Sequence, residues 1–294
     1  MLDQPILVEQ VVSRRSQLGE GAFWDHRRGL LFWVDILGEK VFAFDPKTSI
    51  NREWSSGAMV GTVVPSLAGD LILARQDDIV RLDLVTGELT AFVPLEDARS
   101  DMRFNDGKCD PAGRLWVGRM NQDGKTDDGA LYCLEADARI ERRLEPTTVS
   151  NGIIWSRDRS RMYYIDSERN DVRVWDFEES SGRIENERIA FRNDHSGVFD
   201  GMTIDTEGML WIAIFEGGEV RRYDPRDGRV LQVVRLPARQ ITSCAFGGPE
   251  LKDLYITSGS EHYTEEDWRE DPQAGSLFRI RPGATGIQLP YFGG

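Results

Sequence analysis

The sequence predicts an all-β fold, a six-bladed β-propeller with four antiparallel strands per blade, and three observations predict it. Amphipathic helical periodicity is hard to find anywhere in the 294 residues. Short β-rich runs are cut roughly every 8–12 residues by Gly, Pro and Asp turns, the rhythm of a sheet protein. One run also recurs: its anchors Leu31, Leu71, Leu115, Met162, Leu210 and Leu254 are separated by 40, 44, 47, 48 and 44 residues. A repeat of that length holding several strands is a propeller blade rather than a solenoid turn.

Each repeat unfolds in the same order. A first strand runs into a tight turn, as at Asp25-His26-Arg27-Arg28-Gly29, Asp110-Pro111-Ala112-Gly113 and Asp205-Thr206-Glu207-Gly208. The anchored second strand follows. A third strand then alternates with period two, the mark of a half-buried strand, in 40–45, 79–83, 130–134, 172–176, 220–224 and 276–280. Turn chemistry such as Asp224-Pro225-Arg226-Asp227-Gly228 leads into a fourth strand. The run 6–12 precedes the first unit and has no unit of its own, so it is expected to close the ring as the outer strand of blade six. With no linker or low-complexity stretch, residues 1–294 read as one domain. Two connections are long, 120–129 and 258–275, and long loops in compact domains are often functional.

Composition narrows the function. A formal charge of −14 argues against nucleic acid, whose phosphates need fields of Lys and Arg. Cys109, Cys133 and Cys244 form neither a disulfide framework nor a zinc spacing. The start, Met1-Leu2-Asp3-Gln4-Pro5, shows no signal peptide, and no apolar run approaches a membrane helix. A soluble cytoplasmic protein, with no membrane partner, is the default expectation; the oligomeric state is open.

The repeats differ at one phase. Ten or eleven residues before the anchors stand Glu20, Gly61, Asn105, Asn151, Asp200 and Ser243, at the start of each first strand. In a propeller that strand lines the axis, so these positions ring one mouth of the channel. The loops after each second strand, including both long ones, share that face. Asp or Asn before Gly is ordinarily a turn former, but recurrence in phase in four of six repeats favours a site. Asp106 and Asp205 read instead as turn or strand-end residues. Glu20, Asn151 and Asp200 offer two carboxylates and an amide oxygen, a set suited to one divalent ion: Ca²⁺, Mg²⁺ or Mn²⁺, with Zn²⁺ and Fe²⁺ also open. Such an ion polarises a carbonyl and acidifies water, and Asp200 can serve as general base. His26, His195 and His262 show no ligand spacing and read as structural or exposed. No G-x-S-x-G elbow and no Gly-rich phosphate loop occurs.

Leu18-Gly19-Glu20-Gly21, Arg103-Phe104-Asn105-Asp106-Gly107-Lys108, Ser150-Asn151-Gly152 and Asp200-Gly201-Met202-Thr203-Ile204-Asp205 resemble, in order and spacing, the SMP-30/gluconolactonase/regucalcin family. The resemblance implies a six-bladed propeller with one divalent ion in its channel, hydrolysing sugar lactones to aldonic acids. It implies Glu20, Asn151 and Asp200 as metal ligands, Asp200 also as base, and Arg103 and Asn105 as substrate contacts. Both can donate hydrogen bonds to polyol oxygens. The run Gly118-Arg119-Met120-Asn121-Gln122 departs from the family pattern, so sugar preference does not transfer; Asn121 is expected to join the substrate contacts, and Arg119 reads equally as a surface ion pair. The reading is a metal-dependent lactonase acting on a pentono- or hexonolactone. Its rivals are a non-enzymatic calcium-binding or regulatory propeller, an arylesterase or organophosphate hydrolase at a similar centre, and a protein-interaction propeller.

Overall fold

A computed structural model describes residues 6–95 and 98–293; the Met1–Pro5 stretch lies outside the described residues. Six four-stranded antiparallel sheets form the propeller. Their inner strands are Gly19–Asp25, Val60–Pro65, Met102–Cys109, Ser150–Trp155, Val198–Ile204 and Ile241–Gly247. Each continues as a simple meander outward, except in blade six. There the fourth strand is Glu9–Val12, which pairs antiparallel with Leu277–Ile280 through Glu9↔Arg279, Gln10↔Phe278 and Val12↔Leu277. The N-terminal segment thus closes the ring as the sequence implies, and Ile6 and Val8 pack on the blade-six core beside Leu254, Phe278 and Ile280.

Burial follows from the meander. Inner and second strands are buried on both faces, and outer strands such as Arg183–Arg192 are largely exposed. The turn aspartates are structural locks. Asp205 accepts from Glu207 N and Met209 N with Oδ1, and from Trp211 Nε1 (3.0 Å) and Arg222 Nε (2.7 Å) with Oδ2. Asp110 repeats the pattern on Ala112 N, Arg114 and Trp116 Nε1. These acids satisfy turn amides that burial would otherwise leave unpaired.

The chain end contributes something the repeats do not announce. Residues 281–293 cross the face opposite the predicted site, touching the turn after the first strand in five blades. Thr206 N donates to Thr285 O, Gly286 N to Leu251 O, Phe292 N to Pro65 O, Gly293 N to Gly113 O, and Tyr291 Oη to Asp25 at 2.7 Å. Leu289, Tyr291 and Phe292 join the buried cluster that holds Phe23, Val64, Phe104 and Met202 of the inner strands. The 258–275 connection also holds a short helix, Glu265–Glu270, started by a Thr264–Asp267 capping box. Among the described residues no helix is long and apolar enough to cross a membrane.

Candidate metal centre and active site

Every inner strand carries a register shift at the ring phase. The shifts lie between Glu20 and Phe23, Val60 and Thr62, Phe104 and Gly107, Ser150 and Ile153, Phe199 and Met202, and Ile241 and Cys244. A bulge bends its strand and re-aims side chains, so one distortion repeated six times turns the ring residues toward the axis. Glycine beside the polar residue permits the neighbouring strand's approach. A Cβ on Gly152 would meet the Asp200 carbonyl at 2.7 Å, and one on Gly201 the Thr242 carbonyl at 2.8 Å. The strand ends are tethered by acids four residues past two anchors. Asp35 accepts from Gln17 N and Leu18 N just before Glu20, and Asp166 from Thr148 N and Val149 N just before Asn151.

Glu20, Asn151 and Asp200 come together from blades one, four and five, all buried. The Asp200 carboxyl is in hydrogen-bonding reach of both Glu20 and Asn151. The Asn151 amide is oriented: Nδ2 donates to Ser167 Oγ at 3.0 Å, and Ser167 Oγ donates on to the Phe199 carbonyl at 2.7 Å. Asn151 Oδ1 and Asp200 Oδ1 are buried with no hydrogen-bond partner. Burial, and then the charge of Asp106, pushes the Glu20 carboxyl up to about 8; burial, and then Glu20, pushes Asp200 well above the carboxylate range. Burial and mutual repulsion disfavour ionisation of both carboxylates, and the two orphaned oxygens beside them lack a donor or cation partner within the protein. Among the described residues no three His, Cys, Asp or Glu side chains group as metal ligands; the third donor here is an amide. The oxygen set fits a hard divalent ion.

Arg103 and Asn105 lie beside this seat. Arg103 Nη1 donates to Asn105 Oδ1 at 2.5 Å and to the Phe104 carbonyl, and Asn105 Nδ2 donates to the Ser150 carbonyl. Burial pulls the Arg103 guanidinium down, while Glu261, Glu20 and Asp200 face it and oppose that pull. Asn121 is not gathered with them. It is wholly buried with Nδ2 donating to Asp101 and Asp128 and Oδ1 accepting from Asp123 N, so it ties down the 122–128 loop. Arg119 is buried too rather than a surface residue, and reaches Asp77 of blade two at 3.4 Å.

Asp106 departs from its reading as a turn or strand-end residue. It is buried in the middle of the Met102–Cys109 strand, and Lys108, buried near that strand's end, donates from Nζ to the Met202 carbonyl of blade five at 3.0 Å. Glu261, on the long blade-six loop, is a further acid facing Arg103; no repeat has a counterpart to it, so periodicity carries no signal for it. The shared face of that loop and the ring is the one clue. His26 stacks on Tyr291 on the opposite face, and His195 and His262 are exposed.

Residues 18–260 match the family model described as SMP-30/gluconolactonase/LRE-like region. The chain is 38% identical to YvrE of Bacillus subtilis (strain 168), a protein provisionally named a sugar lactone lactonase, over 95% of this chain and 96% of that one. It is 40% identical to regucalcin of Danio rerio over 97% and 98%. The solved structure of a calcium-binding protein, regucalcin, from Agrobacterium tumefaciens str. C58 superposes with TM-score 0.93 at 26% identity, covering 98% of both chains.

Proposed function

The chain belongs to the SMP-30/gluconolactonase/LRE-like family, and from that premise we propose that it is a metal-dependent lactonase hydrolysing a pentono- or hexonolactone to the aldonic acid. One observation carries the reading: Glu20, Asn151 and Asp200 converge from three blades with Asn151 Oδ1 and Asp200 Oδ1 left unpartnered inside. A divalent ion held by these three would polarise the ester carbonyl and acidify water.

The chain's own residues supply the rest. Asp200, buried and with a raised affinity for protons, would accept a proton from the attacking water. Water oxygen bonds to the carbonyl carbon, the ring C–O bond breaks, and the proton passes to the departing ring oxygen. Arg103, with guanidinium donors beyond those spent on Asn105 and Phe104, orients the sugar hydroxyls. Asn105 aligns Arg103 and offers its second N–H. Asn121 enters only through the rim loop it fastens.

The test is a pH-monitored panel of 1,4- and 1,5-lactones of arabinonic, xylonic, galactonic and gluconic acids with several divalent ions, corrected for spontaneous hydrolysis. Turnover that vanishes on chelation, returns with one ion and is lost in Asp200→Asn is expected. Turnover surviving exhaustive chelation, or near-wild-type rates in the variant, would refute it. A calcium-binding, non-enzymatic propeller is the second reading, favoured by the regucalcin relatives; it predicts ion binding with no turnover on the panel. Aromatic esters run alongside separate an arylesterase.

A further inference from the structure

At the channel mouth one glutamine side chain pairs with backbone as a neighbouring strand would. Gln240 is buried, just before the inner strand Ile241–Gly247 of blade six. Its Oε1 accepts from Glu261 N at 2.7 Å, and its Nε2 donates to the Glu261 carbonyl at 3.1 Å and to Glu216 Oε1 at 2.8 Å. Its own carbonyl accepts from Gly259 N at 2.9 Å. The same stretch of the blade-six loop is fastened to blade one. Ser260 N donates to the Gln17 carbonyl at 2.9 Å, Ser260 Oγ to the Ser16 carbonyl at 2.8 Å, and Gly259 bridges to Leu18, two residues before Glu20. The backbone of Glu261 is therefore gripped at both its polar groups, on the rim nearest Glu20.

The two acids that Gln240 touches differ in what answers their charge. Glu216 is matched: Gln240 holds one carboxylate oxygen and Arg239 Nε the other at 2.8 Å. Among the described residues the half-buried Glu261 carboxylate makes an ion pair only with the exposed His262, at 3.7 Å. Its charge also opposes the downward pull of burial on Arg103. A carboxylate fixed at an entrance accepts hydrogen bonds from hydroxyls and repels anions, and a repulsive group separates ligands of otherwise equal shape. We propose that Glu261, set in place by Gln240, determines specificity at the rim: it admits lactones with free hydroxyls and rejects those carrying a phosphate ester. Gln240 acts through Glu261 and is a positioning residue. The inference rests on the lactonase reading and deepens it.

The test compares kcat/KM of the whole, ion-saturated chain for two substrates: the best lactone of the panel with a free terminal hydroxyl, and the same lactone phosphorylated there. Wild type prefers the unphosphorylated lactone by at least about tenfold. Glu261→Gln keeps the shape, removes the charge and shifts the ratio toward the phosphorylated lactone by about tenfold. Gln240→Ala shifts it the same way and raises KM for the unphosphorylated lactone, with kcat within about threefold. The double variant Q240A/E261Q shifts the ratio no further than Glu261→Gln alone, because the two residues act as one unit. A merely structural role for Gln240 would depress both substrates alike and leave the ratio unmoved. Should Gln240→Ala fail to fold, Gln240→Met, of similar length without the hydrogen bonds, takes its place, and the Glu261→Gln ratio decides in any case. An unmoved ratio in either single variant, or a wild type that prefers the phosphorylated lactone, overturns the inference while the lactonase reading stands. Wild type turning over no lactone of the panel overturns that reading and this inference together.

Discussion

Asn105 Nδ2 donates to the Ser150 carbonyl at 2.8 Å, so an amide on blade three holds the backbone immediately before Asn151 on blade four. The same side chain accepts from Arg103. The proposed substrate contacts and the proposed metal ligand Asn151 thus belong to one hydrogen-bonded unit. Asn105→Ala is expected to raise KM and also weaken divalent-ion binding, each by roughly tenfold. Substrate kinetics and ion titration, measured separately, check this. An effect on KM with unchanged ion affinity would mean the two functions are independent.

Ser167 relays between Asn151 Nδ2 and the Phe199 carbonyl. Without it the Asn151 amide loses its anchor and is free to flip, presenting nitrogen instead of oxygen to a cation. Ser167→Ala is therefore expected to weaken ion binding about 10- to 100-fold, the usual cost of losing a group that orients a ligand. Saturating ion should recover most of the turnover. A variant with wild-type ion affinity would show that the amide is oriented by other means.

Glu20 in the ion-free protein keeps its proton to about pH 8, whereas the ordinary value is 4.5. Between those values the folded chain binds the extra proton, so rising pH favours unfolding. The contribution is complete below the unfolded value and is lost as pH passes through 8. Asp200, raised for the same reason, adds in the same direction. Chelated protein should melt lower at about pH 8.5 than at pH 5.5, by roughly 5 °C. Saturating Ca²⁺ or the substitution Glu20→Gln should flatten the slope. A melting temperature that climbs with pH over this range would contradict the burial of these carboxylates.

The blades were legible because each must bury the same apolar face, which stamps a period near 45 residues on the chain. The ring was legible because departures from that period, at Glu20, Asn151 and Asp200, fall at one phase. Asp106 and Lys108 were not, because Asn-Asp-Gly has the composition of a turn, and only the bulge between Phe104 and Gly107 keeps it in a strand aimed at the axis. Asn121 read as a substrate contact since the carboxylates that saturate its amide, Asp101 and Asp128, lie on either side of it in sequence with no fixed spacing. The helix Glu265–Glu270 is too short for a helical period to show, although Thr264 and Asp267 spell its cap. The C-terminal tail follows no repeat at all.

That tail gives the last prediction. Leu289, Tyr291 and Phe292 are buried against the inner-strand cluster, and the segment hydrogen-bonds to turns of five blades. Burial of three such side chains stabilises by roughly 5 kcal/mol in sum, so deleting residues 286–294 should lower the melting temperature by about 10 °C or more. The proposed metal ligands lie at the other end of the inner strands, positioned by bulges and by Asp35 and Asp166, none of which the tail touches. Ion affinity of the folded truncated protein should therefore change by less than about threefold. The two readouts separate a plug from a support. An unchanged melting temperature would make the tail peripheral, and an affinity that collapses along with stability would mean the far end of the channel holds the near end in shape.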